Sequence, residues 1–157
     1  MSEKRKNNLN SKQCFVAMWF NEQEDKTKYW FNMTKIYNDA IKPAIEQENK
    51  YTSCRIDCIE HCDDINDKMI SEIRKSRFLL VDLTGYRGGV YWEAGFAEGL
   101  GLPVIYTCNK NWQYSNKDLH IQGVHFDLNH RNIIFWEEDK LEEFKEKIKN
   151  RIDAIIF

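Results

Sequence analysis

The segment Phe78-Leu-Leu-Val-Asp-Leu83 limits the fold more than any other. Its first four residues are apolar at both alternating sets of positions, so a strand built from it has no wet face and needs cover on both sides. Cys14-Phe-Val-Ala-Met-Trp-Phe20 has the same character, and Pro103 to Cys108 and Asn132 to Trp136 are shorter runs of that kind. Thr52 to Ile59 alternates and reads as a further strand. Helical patterns lie between these segments. From Thr27 to Asn49, apolar residues such as Met33, Ile36, Ala40 and Ile41 recur at three- and four-residue steps, with Pro43 as an expected kink or break. A second helix is expected after a cap at Asp63 or Asp64, with Ile65, Met69, Ile70 and Ile73 facing inward. Val90 to Gly101 reads as a helix of small residues, and Asp139 to Ile152 as a closing amphipathic one.

Strands that alternate with helices imply right-handed crossovers and a parallel sheet covered on both faces. The expected fold is α/β: a flavodoxin-like three-layer sandwich with a five-stranded parallel sheet in the order 2-1-3-4-5. At 157 residues the chain has room for one such domain, expected over residues 14–157. Residues 1–13 are polar and lysine-rich, lack the apolar stretch of a secretory signal, and are expected to form a disordered tail.

Composition removes several classes of function. The 23 Lys and Arg residues against 25 Asp and Glu leave a formal charge of −2, which gives no global field for gripping a nucleic-acid backbone. No apolar run reaches the roughly 20 residues of a membrane span. Five cysteines are an odd count in a chain able to build its own core, which points to a reducing cytoplasm rather than a disulfide scaffold. Cys54, Cys58 and Cys62, with Asp57 and His61 among them, raise the question of a metal. Their spacing matches no usual zinc pattern, and Cys54 and Cys58 fall on one strand face, where Cys is a common small core residue. Neither a metal nor a cofactor is expected.

In parallel sheets of this order, ligands bind beyond the carboxyl ends of the strands, beside the switch point. The loops starting at Met18, Asp57, Asp82 and Cys108 should converge there. The long polar connection 109–131 is the expected lid. On a helical wheel, Val90, Ala94, Ala97, Phe96, Leu100 and Gly101 fall on one half, the face that should meet the sheet. Glu93 falls among them, in what reads as the first turn, where the helix dipole should favour its ionised form. A carboxylate so placed suits a nucleophile or base; the plain alternative is a helix cap or a partner of Arg87. Asp82 ends the apolar strand and should project into the same crevice, unless it only caps the turn through the amides of Thr84 or Gly85. Two carboxylates from adjacent loops suit glycosyl transfer or hydrolysis. The turn Gly85-Tyr-Arg-Gly-Gly89 offers backbone N–H groups for an anion, and Arg87 a charged fork for phosphate.

Phe15-Val-Ala-Met18, Asp82-Leu-Thr-Gly85, Gly88-Gly-Val-Tyr-Trp-Glu-Ala-Gly-Phe-Ala97 and Gly101-Leu-Pro-Val-Ile105 together resemble the nucleoside 2-deoxyribosyltransferase family. The resemblance runs in order over about residues 14–136, and its most specific piece is Glu93-Ala-Gly-Phe-Ala97. It implies a flavodoxin-like sheet and cleavage of the N-glycosidic bond of a nucleoside or nucleotide, with a homo-oligomer as the working form. Glu93 matches the family's nucleophile, and Asp82 its aspartate at the end of the third strand. Met18 and Phe20 would line the base pocket, Asp57 would lie close to the base, and Gly85, Arg87, Gly88 and Gly89 would meet the sugar phosphate. Asn129, or else Asn132, matches a C-terminal asparagine. Met18-Trp-Phe20 stands where transferases carry a polar group, and the turn around Arg87 is more like that of the deoxynucleotide N-hydrolase branch. Two other readings stay open: a TIR-like NAD glycohydrolase, and a non-catalytic module that senses a nucleotide.

Overall fold

The computed structural model describes residues 8–56 and 65–157. Five strands form one sheet in the order β2-β1-β3-β4-β5, all parallel: β1 Gln13–Ala17, β2 Thr52–Arg55, β3 Phe78–Asp82, β4 Val104–Asn109 and β5 Ile134–Trp136. This is the flavodoxin-like order expected. All of β3 is buried, with Cys14 of β1 opposite Phe78 and Leu79 opposite Val104 of β4. Helix α1 (residues 33–48) packs with α4 (Leu141–Ile155) on one face. Helices α2 (Ile65–Lys75) and α3 (Gly88–Gly99) cover the other.

Helix α1 starts six residues later than its periodicity suggests. Asp25 accepts from the amide and hydroxyl of Thr27, and Tyr29 takes a positive φ of 54°, so residues 25–30 form a closed turn. Asn32 then caps the helix by accepting from the Lys35 amide at 3.1 Å. Pro43 does not end α1. The helix widens to π-helical turns on either side of it, at Tyr37–Ile41 and Ala44–Glu48, which lets the chain pass a residue that cannot donate.

Strand β1 stops at Ala17, three residues short of the apolar run, and Trp19 and Phe20 leave the sheet. Asp57, Cys58, His61, Cys62 and the expected caps Asp63 and Asp64 lie outside the described residues. Asn8 donates to the carbonyls of Arg74 at 2.7 Å and Ser76 at 2.9 Å, which ties residues 8–12 to the end of α2. The connection 109–131 is not a loose flap at its base. Trp112 and Ile121 are buried, the Trp112 indole donates to the Tyr29 carbonyl at 2.7 Å, and Asn116 bridges Ile121. No helix among the described residues is long and apolar enough to cross a membrane.

At the opposite edge of the sheet from the strand carboxyl ends, buried Glu72 accepts from Gln13 and pairs with Lys68 and Lys75. Burial opposes its charge, yet these partners prevail and hold the carboxyl down to about 2. A carboxyl lowered in the folded state stabilises above its unfolded value of 4.5 and loses that contribution as pH falls toward 2. The Glu72→Gln protein should therefore melt lower than the parent at pH 7. The gap should close on acidification toward pH 2, as followed by circular dichroism.

Candidate active site

Trp19, just past β1, organises the carboxyl edge at the β1–β3 switch point. Its ring meets those of Trp30 and Trp112 edge-on, at centroid distances of 6.0 and 5.9 Å. Gly85 in the turn after β3 takes a φ of +90°, and a Cβ there would lie 2.5 Å from Trp19 Cε3. Both the backbone and the close ring demand glycine. Gly85→Ala should therefore cost about 2 kcal/mol or more and disturb the near-ultraviolet tryptophan signal, measured by urea melts and circular dichroism. Arg87 lies over the same ring, its Cζ 4.6 Å from the centroid, and stays exposed. Gly88 and Gly89 are exposed, with open space where a side chain would stand. Packing does not require glycine at either position, so a ligand can approach the backbone there closely.

Glu93 is half-buried and makes no hydrogen bond or ion pair with any described residue. Arg87 does not pair with it. The α3 residues that meet the sheet are Val90, Ala94 and Ala97. On the wheel Glu93 stands to one side of that stripe, on the flank of Phe96, over whose ring lies Arg74 of α2 at 5.8 Å. It therefore faces the seam between α2 and α3, above β1 and β3. The helix starts at Gly88, so Glu93 belongs to its second turn, beyond the free N–H groups of the first. Burial without a partner decides its charge state and pushes its carboxyl up to about 7. The expectation of a favoured ionised form is corrected on this point.

Asp82 is fully buried, and three donors hold its carboxylate. Oδ1 accepts from the Thr84 amide at 3.1 Å, while Oδ2 accepts from the Thr107 hydroxyl at 2.6 Å and the Trp136 indole at 2.8 Å. Trp136 stacks on Phe144 of α4, which puts the Asp82 carboxylate toward the α4 layer, whereas Glu93 belongs to the α3 layer. Thr84 in turn accepts from the Asn109 amide at 2.9 Å. Asp82 thus clasps the ends of β3, β4 and β5 together rather than opening into the crevice.

The remaining residues divide in the same way. Met18 is only 3% exposed and belongs to the core. Phe20 is 42% exposed and lies on Arg55, whose Cζ is 4.6 Å from the ring and 5.2 Å from that of Tyr37. Asn129 is exposed and lines a cavity of about 280 Å³ with Gln113, Tyr114 and Phe135, away from the turn 85–89. Asp57 lies outside the described residues. Trp19, buried Arg55 and Trp136 were missing from the sequence-based site; their roles depend on contacts across the sheet edge that no local pattern announces. No group of three or more His, Cys, Asp or Glu among the described residues is placed to hold a metal ion.

No family model matches this sequence, and no curated protein matches it. Among solved structures, the chain is similar to a 2-desoxiribosyltransferase from Leishmania mexicana. The TM-score is 0.53 and the identity 15%, over 84% of this chain and 95% of that one. The likeness is one of fold.

Proposed function

We propose that this chain cleaves or transfers at the N-glycosidic bond of a deoxynucleoside or nucleotide, with Glu93 as the nucleophile. The observation that carries the reading is the carboxyl of Glu93: half-buried, without a partner, and raised by burial to about 7, on a helix that packs against β1 and β3. Groups tuned in this way concentrate at reactive sites. The fold neighbour, a 2-desoxiribosyltransferase, supports the same bond class.

In the step proposed, an ionised Glu93 oxygen attacks C1′. The C1′–N bond breaks, its electron pair leaves with the base, and solvent supplies the proton that neutralises the base nitrogen. Water, or the nitrogen of a second base, then displaces Glu93 from C1′ and restores the carboxylate. Asp82 acts as a positioning residue, because it is fully buried and its carboxylate is engaged by three donors. It holds the turn that carries Arg87, Gly88 and Gly89. Those three would receive a 5′-phosphate, and Phe20 the base. A homo-oligomer in the cytoplasm is part of the same proposal.

The test is to incubate the protein with deoxynucleosides, deoxynucleoside monophosphates and NAD, and to quantify released base. Release from the first two is expected. Release from NAD alone would replace this reading with an NAD glycohydrolase, and tight binding with no release would replace it with a nucleotide sensor. Arg87→Ala should raise KM for a nucleoside monophosphate about tenfold and leave that for the bare nucleoside nearly unchanged. Equal effects on both would remove the phosphate from the proposal.

A further inference from the structure

A cavity of about 370 Å³ opens on the other flank of α3. Tyr91 and Glu98 line it, and Tyr91 stands roughly 160° around the helix axis from Glu93 at ~100° per residue. It is therefore a different place from the seam. Three rings form a cup at its mouth: Tyr86 and Tyr91 have centroids 5.1 Å apart, Tyr91 and His125 6.1 Å, and Tyr86 and His125 6.4 Å. The Tyr91 hydroxyl accepts from the His125 amide at 3.0 Å, which fixes one wall to the other. Gly95 adds no side chain to the floor.

Tyr106 also lines this cavity. It is only 4% exposed, and its buried hydroxyl stands beside the Glu98 carboxylate, which can accept from it. The charge of Glu98 joins burial in raising the phenol, so Tyr106 stays a neutral hydroxyl. Asp127 supplies a second, exposed carboxylate, its Oδ2 3.5 Å from Nδ1 of His125. No lysine or arginine is among the lining residues, and nearby Arg131 is held by Glu98 at 3.2 Å.

Ring faces and acceptor oxygens, with no lysine or arginine among the lining residues, attract positive charge. We propose that this cavity is a binding site for a small organic cation, an ammonium or guanidinium group, seated against Tyr86, Tyr91 and His125 with its N–H or methyl edge toward Glu98, Asp127 and the Tyr106 hydroxyl. The cavity shares Gly88 with the turn proposed above to receive a phosphate, but Glu93 is not among its lining residues, and cation binding does not depend on the glycosidic step.

The experiment is a proton NMR titration of the full chain with tetramethylammonium and with guanidinium. Parallel arms use the neutral isostere 3,3-dimethylbutanol and free adenine. A saturable upfield shift of the cation signals is expected, with affinity at least tenfold above that of the isostere. Tyr86→Asn, which tolerates the positive φ of 48° at that position, should weaken binding about tenfold. Asp127→Asn, at an exposed site that cannot endanger the fold, should weaken it about threefold. Glu93→Gln should leave it unchanged, so a failure here is distinguishable from a failure of the catalytic reading. Equal binding of the isostere, binding of adenine but not of the cations, no saturable shift, or indifference to Asp127→Asn would each overturn the proposal.

Discussion

Glu93→Gln is expected to reduce base release roughly a thousandfold or more and, at pH 8, to melt higher than the parent. Both effects come from one physical fact. The carboxyl is raised from 4.5 to about 7 by burial alone, with no partner to offset the lost hydration. A carboxyl raised in the folded state binds more protons folded than unfolded between those two values. Its charge therefore destabilises the fold above about 7, and the penalty disappears below 4.5. Full conversion of that shift gives about 3 kcal/mol, and the partial exposure of the side chain reduces it to about 1–2 kcal/mol. For a domain of this size that is roughly 2–8 °C in Tm. Melts of both proteins at pH 4 and pH 8 check it: the difference should exist at pH 8 and vanish at pH 4. In the parent, kcat/KM should rise with pH through about 7 as the nucleophile ionises. A glutamine that retains activity, or a stability gain equal at both pH values, would separate Glu93 from the role given to it.

Asp82→Asn should cost about 2–4 kcal/mol and lower Tm by roughly 5–15 °C, measured by thermal and urea melts. The argument concerns donors. The carboxylate accepts from the Thr84 amide on one oxygen and from the Trp136 indole on the other, and neither donor can reverse. An asparagine must aim its NH₂ at one of them, whichever way its amide is turned, so one buried N–H meets another. The Thr107 hydroxyl can rotate and accept, which limits the damage. Base release should fall as well, because the turn carrying Arg87 and Gly88 hangs from this clasp. A variant as stable as the parent would mean that the buried network contributes little.

Much of the fold was legible because parallel strands leave a plain trace. Phe78–Val81 has no polar position at either face, and only a doubly covered strand tolerates that. The helix carrying Glu93 was legible for the same reason, through Val90, Ala94 and Ala97. Its start was not, because Gly88 and Gly89 are poor helix formers and extend it only through the surrounding structure. That two-residue difference moves Glu93 from the first turn to the second, away from the free N–H groups, and burial then raises its carboxyl. Asp82 shows a different limit. A strand-end aspartate reads as a free carboxylate unless it is known that Trp136, 54 positions away, returns its indole to the same point. The turn 25–30 was hidden by Trp30, whose apolar spacing fits a helix while its neighbours Asp25 and Tyr29 close a loop.

Intact-protein mass spectrometry after a rapid acid quench, with a slow 2-fluoro deoxynucleoside as substrate, tests the central claim most directly. The account predicts a mass gain equal to one glycosyl residue, mapped by peptide fragmentation to Glu93 and absent from Glu93→Gln. Base release with no adduct on the protein, or an adduct on any other side chain, would contradict it.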